Sequence, residues 1–141
     1  MYKNILLPLE NSPSDRAILS HIEKLARVHG SSLLLMHVAD GFVARNYDQL
    51  VLRESEEMKE DRAYLEEICE ELRKKGFQAD YYLAHGEPAN EIIRLVNDRK
   101  IDLIAMSTHG HGFLKDLLLG SVARSVRHSV AVPVLLLKSD N

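Results

Sequence analysis

Apolar residues along the chain fall into two patterns, short continuous runs and stripes that repeat every three or four positions. The continuous runs have the length of a strand and end at polar or turn-forming residues, as expected of strands buried on both faces. The stripes place apolar side chains on one face of a helix. The predicted strands are 2–9, 32–38, 77–84, 101–106 and 133–137, and the predicted helices are 13–29, 48–75, 121–130 and one that opens at 86–88 and continues through Val96.

Strands and helices alternate along the sequence, which is the arrangement of βαβ units. The sequence therefore predicts an α/β fold: one open, mainly parallel five-stranded sheet with helices on both faces, in a single domain that spans residues 1–141. Residues 39–47 carry no period and are predicted to form a loop. At the first helix, Ser12 is the expected cap and Pro13 the expected first residue.

Composition and charge narrow the classes of function. The 141 residues carry 18 Lys and Arg against 21 Asp and Glu, a net charge of −3, whereas nucleic-acid-binding domains are usually basic. No apolar run approaches the roughly 18 residues of a membrane span, and Pro8 and Glu10 interrupt the first run before it resembles a signal peptide. The single cysteine, Cys69, excludes a disulfide within the chain and suits a reducing compartment. We therefore expect a cytoplasmic protein that binds no nucleic acid and inserts into no membrane.

Ligands of open α/β sheets bind beyond the carboxyl ends of the strands, at the point where the strand order reverses. In this chain the predicted carboxyl ends lead into residues 10–12, 38–40, 85–87 and 107–112. The last of these segments contains two glycines and two histidines, and Gly120-Ser121 follows at the start of the predicted last helix. Glycines let backbone N–H groups approach an anion, and a helix N-terminus adds unpaired donors. Spacing alone leaves two interpretations open: a phosphate-binding segment, or turn glycines and a helix cap.

Standard motifs for several other kinds of chemistry are missing from the sequence. The chain has neither Gly-x-x-x-x-Gly-Lys-Ser/Thr nor Gly-x-Gly-x-x-Gly after its first strand, so neither a P-loop NTPase nor a standard dinucleotide-binding protein is supported. His109 and His111 suggest a metal site, but no cysteine pair or Glu/His helix motif supplies the further ligands that zinc needs. No Gly-x-Ser-x-Gly elbow supports a serine hydrolase. We therefore predict no resident metal site and assign no catalytic residue.

The chain resembles the universal stress protein family in motifs that are distributed along its length. Family members that bind ATP carry Gly-x-x-Gly, nine residues and then Gly-Ser or Gly-Thr; here Ser107-x-x-Gly110 is followed by nine residues and Gly120-Ser121. Further similar segments are 3–12, 35–38, 86–89 and 132–137. The resemblance implies a Rossmann-like fold of the adenine nucleotide alpha-hydrolase type, with strand order 3-2-1-4-5.

The same resemblance implies a binding site for an adenine nucleotide. Two positions depart from the family pattern: Glu10 stands where Asp is usual, and Ser107 stands where the motif has its first Gly. Carried over position by position, the site would have Pro8, Leu9 and Glu10 around adenosine with Glu10 near the ribose, the Val38 backbone at the adenine edge, Met106 and Ser107 along the ribose, His109, Gly110 and His111 facing the phosphates, and Gly120, Ser121 and Val122 donating N–H and hydroxyl groups to the phosphates.

Together these features define an expected function. The resemblance implies a stress-response regulatory protein that binds ATP or a related adenine nucleotide and switches with it, with Mg²⁺ or Mn²⁺ bound only together with the nucleotide. It also implies a homodimer through the last strand, whose apolar residues 134–137 lie at a predicted sheet edge, and regulatory protein partners of unknown identity. Two alternatives stay open: a nucleotide-free interaction module, which Ser107 favours, and a slow ATPase with Glu10, His109 and His111 as candidate bases.

Overall fold

Five strands and four helices alternate along the described part of the chain. The computed structural model describes residues 1–39, 51–109 and 115–139, and for 51–55, 109, 115–121 and 139 it describes the backbone alone. Most boundaries lie within three residues of the sequence prediction, and residues 40–47 of the predicted loop lie outside the described residues. The elements are β1 (Asn4–Pro8), α1 (Asp15–His29), β2 (Ser32–Ala39), α2 (Val51–Lys74), β3 (Gln78–His85), α3 (Pro88–Asp98), β4 (Leu103–His109), α4 (Lys115–Ser129) and β5 (Val134–Ser139).

The strands form one parallel sheet in the order β3-β2-β1-β4-β5, which confirms the predicted fold class and strand order. From β1 to β3 the strands are added on one side of β1, and from β4 onward they are added on the other side. The strand order therefore reverses between β1 and β4, and the crevice beyond the carboxyl ends of these two strands is where open α/β sheets bind ligands. β3 and β5 are the two edges of the sheet.

Two hydrophobic cores cover the two faces of the sheet, which explains the unbroken apolar run of β1. Ile5 and Leu7 pack into a core with residues of α1 and α2, whereas Leu6 packs into a second core with residues of α3 and α4. Successive side chains of a strand point to opposite faces, and all three of these are fully buried. Within the described ranges, no helix combines the length and the apolar character needed to cross a bilayer.

The structure differs from the sequence prediction around the glycine-containing segment after β4. Residues 107–109, predicted as loop, belong to β4 because they continue its pairing with residues 137–139 of β5. The last helix begins at Lys115 and not at Ser121, so the predicted start is wrong. A glycine within a helix costs only about 1 kcal/mol relative to alanine, and the preceding leucines 117–119 are strong helix formers, so Gly120 does not interrupt the helix.

The start of α1 also differs from the prediction. Ser12 and Pro13 precede the helix, and Ser14 occupies the cap position without a side-chain cap hydrogen bond. Ser12 contributes its carbonyl oxygen, which accepts a hydrogen bond from the backbone N–H of Asp15. The prediction of a Ser12 cap is therefore wrong, because the Asp15 carboxylate binds the N–H groups of residues 10–12 and holds them in a turn before the helix begins.

Candidate functional site

A cavity of about 220 Å³ opens at the carboxyl ends of β1, β2 and β4, where the strand order reverses. Its walls come from these three strands, from the residues that follow β1 and from α3 and α4. Most of the lining side chains are apolar. The lining residues are Pro8, Leu9, Glu10, Met36, His37, Val38, Pro88, Ile92, Met106, Ser107 and Val122.

The structure brings the residues predicted for adenosine, together with Val122 from the predicted phosphate group, to one cavity. His109 is the last residue of β4, and only its backbone is described. Gly110 and His111 lie outside the described residues. Gly120 and Ser121 lie inside α4, so their backbone N–H groups are not at a helix start in this conformation. The predicted residues that line the cavity are Pro8, Leu9, Glu10, Val38, Met106, Ser107 and Val122.

Sequence reasoning missed four residues that line the cavity. Met36 and His37 directly precede Val38 at the carboxyl end of β2, so the rule that identified Val38 also applies to them. Pro88 is the first residue of α3, where the Glu87 side chain caps the helix by accepting the backbone N–H of Asn90 at 3.0 Å. Ile92 lies one turn further along α3, and its place on the apolar face gives no sign that it also borders a cavity.

The loop that joins β1 to α1 is fixed by a buried carboxylate. Asp15 is 1% exposed and accepts hydrogen bonds from the backbone N–H groups of Glu10, Asn11 and Ser12 at 3.0, 2.9 and 3.3 Å. Asn11 has a left-handed backbone, with φ at 61°, which asparagine adopts more readily than most residues. Glu10 is therefore held at the edge of the cavity by a backbone conformation that Asp15 determines.

His37 connects the cavity wall to α2. Its ring Nδ1 donates a hydrogen bond to the carbonyl oxygen of Leu9 at 2.8 Å, since a carbonyl oxygen only accepts. Its Nε2 lies 3.5 Å from one carboxylate oxygen of Asp61, and the side-chain amide of Asn11 donates to the other carboxylate oxygen at 3.1 Å. Asp61 on α2 thus contacts β2 and the β1–α1 loop at the same time.

Tyr64 adds a second contact from α2 to the same loop, one turn after Asp61. Its hydroxyl donates a hydrogen bond to the Asp15 carboxylate at 2.5 Å. Burial, and then the hydrogen bond to Asp15, raise the pKa of Tyr64 well above its ordinary value, so the phenol keeps its proton at neutral pH. The β1–α1 loop is therefore held by two residues that are not part of the cavity lining, and the cavity wall exists before any ligand arrives.

Few polar groups face the cavity. The Glu10 carboxylate accepts a hydrogen bond from the Ser14 hydroxyl at 3.1 Å. Ser107 is 4% exposed, and its Oγ has no hydrogen-bond partner among the described residues. Leu9 and Met106 surround these groups with apolar surface. Apolar walls with a few convergent polar groups are the usual form of a small-molecule site and suit the flat faces of an aromatic base.

Two other kinds of chemistry have little basis in the described residues. Within residues 1–39, 51–109 and 115–139, no group of three or more His, Cys, Asp or Glu side chains is placed to hold a metal ion. Cys69 is 1% exposed and packs in the core between α2 and the sheet. Burial raises the pKa of the Cys69 thiol, which disfavours the reactive thiolate form. The cavity is thus the feature of the described structure that is best suited to a ligand.

Known proteins of the same family match the chain along its length. The model of the universal stress protein family matches residues 1–138. Universal stress protein MJ0577 of Methanocaldococcus jannaschii is 30% identical over 158 residues, which cover 100% of this chain and 98% of that protein. The solved structure of MJ0577 superposes with a TM-score of 0.82 and covers 100% of this chain and 99% of its own.

More distant solved structures share the fold. A universal stress protein in complex with cAMP is 18% identical, with a TM-score of 0.69 over 99% of this chain and 98% of its own. A universal stress protein from Archaeoglobus fulgidus in complex with dAMP is 22% identical, with a TM-score of 0.67 over 97% of this chain and 98% of its own. Because the family model covers nearly the whole chain, the chain belongs to the universal stress protein family.

Proposed function

We propose that this universal stress protein is a regulator that binds ATP or a related adenine nucleotide in the cavity at the carboxyl ends of β1, β2 and β4. One observation carries the proposal: seven residues predicted for the site, from separate segments of the chain, meet around one mainly apolar cavity at the reversal of strand order. Two universal stress proteins of the same fold form complexes with cAMP and dAMP, and this supports the adenine nucleotides as the ligand class.

The described residues suit the adenosine part of such a ligand. The base would pack against apolar side chains such as Val38 and Met106, and the Glu10 carboxylate would accept a hydrogen bond from a ribose hydroxyl. Within the described lining there is no Lys or Arg, so the charge of the cavity favours the uncharged adenosine over the phosphates. The phosphates would therefore extend out of the cavity toward the segment that joins β4 to α4.

Phosphate binding through Gly120 and Ser121 requires a change at the start of α4. An N–H group in the second turn of a helix donates to the carbonyl four residues earlier, so these two groups become available only when the first turns of α4 open. We therefore expect a nucleotide-dependent switch at this segment. Mg²⁺ or Mn²⁺ would enter only with the nucleotide, held mainly by phosphate oxygens and water.

Filling the cavity tests the proposal against a matched control. Val38 is half-buried in the cavity wall, and in Val38→Phe the larger ring occupies the space of the base. Val28 on α1 is 78% exposed and does not line this cavity, so Val28→Phe makes the same exchange outside the proposed site. By isothermal titration, Val38→Phe should weaken ATP binding about tenfold or more, a loss of about 1.4 kcal/mol or more. Val28→Phe should bind ATP like the wild type.

Thermal melting of both variants shows that each is folded under the conditions of the titration. Equal ATP affinity in Val38→Phe and the wild type would place any binding outside this cavity. Absence of heat and of competition at millimolar ATP in the wild type would contradict the proposal altogether.

One observation favours a nucleotide-free interaction module as the second candidate. The helix α4 begins at Lys115, so the described conformation lacks the helix start at Gly120 on which phosphate binding depends. In this alternative the protein acts through protein partners alone, and ATP leaves α4 unchanged. Hydrogen exchange of residues 115–121 separates the two candidates: saturating ATP should speed exchange there if the first turns open, and should change nothing in the alternative.

We also propose that two copies of the chain associate through β5. This strand is a sheet edge, Leu136 is 43% exposed, and residues 134, 135 and 137 are only half-buried. Leu136→Lys should convert a dimer into a monomer in light scattering after size-exclusion chromatography. Tyr82, 38% exposed on the opposite edge strand β3, provides the control, since Tyr82→Lys should leave the mass unchanged. A monomeric wild type would contradict this proposal.

Regulatory partners and a cytoplasmic location stay predictions.

A further inference from the structure

Ser107 lines the cavity, and its hydroxyl makes no hydrogen bond to the described residues. Its side chain is 4% exposed, and its Oγ is buried without a hydrogen-bond partner among the described residues. A buried hydroxyl gives up its hydrogen bonds to water, and native structures pair the large majority of such groups. This unpaired group therefore calls for a partner that the described residues do not supply.

The position of Ser107 in the sheet places it beside the first cavity wall. β1 and β4 pair in parallel with Ile5 opposite Leu103 and Leu6 opposite Ile104. Leu9 and Glu10 directly follow β1, and Ser107 lies near the carboxyl end of β4. Leu9, Glu10 and Ser107 all line the cavity. The unpaired hydroxyl and the Glu10 carboxylate therefore lie on adjacent sides of the β1–β4 crevice.

The hydrogen-bonding properties of the Ser107 hydroxyl and the Glu10 carboxylate determine which part of a nucleotide they can bind. A serine hydroxyl both donates and accepts, and a carboxylate only accepts, so together they match a group that has donors and acceptors on neighbouring atoms. A ribose with two adjacent hydroxyls is such a group. A phosphate is not, because the carboxylate would repel it and the described lining has no Lys or Arg to compensate.

We propose that the Oγ of Ser107 binds a ribose hydroxyl of the nucleotide directly and makes the site favour nucleotides that carry this hydroxyl over deoxy analogues that lack it. The inference rests on the proposed binding of an adenine nucleotide and adds a contact that a glycine at this position cannot make. The hydroxyl has no partner among the described residues of the free protein, and it gains one when the ligand binds. Ser107 thus acts as a specificity-determining residue and not as an obstacle in the crevice.

Removing the hydroxyl tests this contact, and the chain offers a matched serine. Ser31 is 5% exposed, but its hydroxyl donates a hydrogen bond to the carbonyl oxygen of Tyr2 at the other end of the sheet. By isothermal titration, Ser107→Ala should bind ATP about five- to tenfold more weakly than the wild type, the loss expected for one neutral hydrogen bond. Ser31→Ala should bind ATP with unchanged affinity.

Stability of the ligand-free protein gives a second readout with the opposite sign. Ser107→Ala removes an unpaired buried hydroxyl, so its melting temperature should equal or exceed that of the wild type. Ser31→Ala removes a paired hydroxyl and leaves a carbonyl without its partner, so its melting temperature should fall. Weaker ligand binding without loss of stability identifies a contact with the ligand and not a defect of folding.

Analogues of ATP identify the group that Ser107 contacts. The wild type should bind either 2′-deoxyATP or 3′-deoxyATP about five- to tenfold more weakly than ATP, because the analogue lacks the hydroxyl that Ser107 pairs with. In Ser107→Ala that discrimination should disappear, because without the serine hydroxyl neither ATP nor the analogue can form this hydrogen bond.

Three results would overturn the inference. If Ser107→Ala keeps the ATP affinity of the wild type, or prefers ATP over each deoxy analogue by the same factor as the wild type, the hydroxyl does not contact the ribose, while nucleotide binding itself stands. Tighter binding by Ser107→Gly than by both the wild type and Ser107→Ala would show that the side chain obstructs the ligand. No binding of any adenine nucleotide by the wild type and all variants would overturn the proposed function together with this contact.

Discussion

The amino and carboxyl ends of the sheet differ in how their polar groups are paired. At the amino end, the Asp102 carboxylate accepts the backbone N–H groups of Lys3 and Asn4 at 2.8 and 3.0 Å, and the Ser31 hydroxyl donates to the Tyr2 carbonyl oxygen. At the carboxyl end, the Ser107 hydroxyl has no partner in the part of the chain that the structure describes. These polar groups at the amino end thus pair with one another and need no ligand.

Within the carboxyl end, the two sides of the β1–β4 crevice differ in the same way. The loop after β1 is held by Asp15, which accepts three backbone N–H groups and the Tyr64 hydroxyl, whereas the end of β4 leaves Ser107 unpaired. A wall that is rigid before binding avoids the cost of ordering it when the ligand arrives. The comparison shows that the chain fixes the geometry of the crevice internally and leaves one buried group for a ligand.

Asp15→Ala is expected to have the largest effect, because it breaks the rigid side of the crevice. The variant leaves three backbone N–H groups and the Tyr64 hydroxyl without their acceptor, and hydrogen bonds to a charged group contribute about 1.5–3 kcal/mol each. The free energy of unfolding, measured by urea denaturation, should fall by about 3 kcal/mol or more. Asp98→Ala at an exposed position should change it by less than about 0.5 kcal/mol. A similar small change in Asp15→Ala would show that the loop does not depend on this carboxylate.

Asp102→Ala is expected to have an intermediate effect and to separate stability from binding. It removes the acceptor of the Lys3 and Asn4 N–H groups at the amino end, so the free energy of unfolding should fall by about 2 kcal/mol. ATP affinity, measured by isothermal titration, should stay that of the wild type, because the cavity lies at the opposite end of the sheet. A parallel loss of affinity would mean that the two ends are coupled and would contradict the comparison.

Tyr64→Phe is expected to have the smallest of the three effects at neutral pH, about 1 kcal/mol in urea denaturation. The folded protein raises the pKa of Tyr64 above its ordinary value of 10.0, whereas the unfolded chain keeps the ordinary value. The stability from this group is therefore complete below pH 10 and is lost as the pH rises further. Above pH 10 the advantage of the wild type over Tyr64→Phe should shrink. A pH-independent difference would show that the phenol is not held protonated by Asp15.

The fold could be predicted because its signals are local in the sequence. Apolar runs such as residues 5–7 mark strands that are buried on both faces, and the alternation of strands with helices determines the parallel sheet. The sheet rule then predicts which strand ends meet, and the structure brings Glu10, Val38 and Ser107 to one cavity. The start of α4 could not be predicted in this way, because Gly120 resembles a helix boundary in the sequence although strong helix formers precede it.

The hydrogen bonds of the site could not be predicted, because they join residues far apart in the sequence. Asp61 contacts His37 and Asn11, and nothing in the helical pattern of α2 distinguishes this carboxylate from the other acidic residues around it. The motif places Ser107 at the predicted site and the structure places it in the cavity wall, but the unpaired state of its hydroxyl depends on its neighbours in the fold. Sequence therefore predicts which residues meet, and packing decides which polar groups remain for a ligand.

A titration of the labelled protein with ATP, followed by amide chemical shifts in NMR, shows where on the sheet the nucleotide binds. The amides of Leu9, Glu10, Val38 and Ser107 should shift and saturate with ATP. The amides around Ser31 and Asp102 at the amino end should keep their positions. No shift at millimolar ATP, or shifts concentrated at the amino end, would contradict the assignment of the carboxyl-end cavity as the nucleotide site.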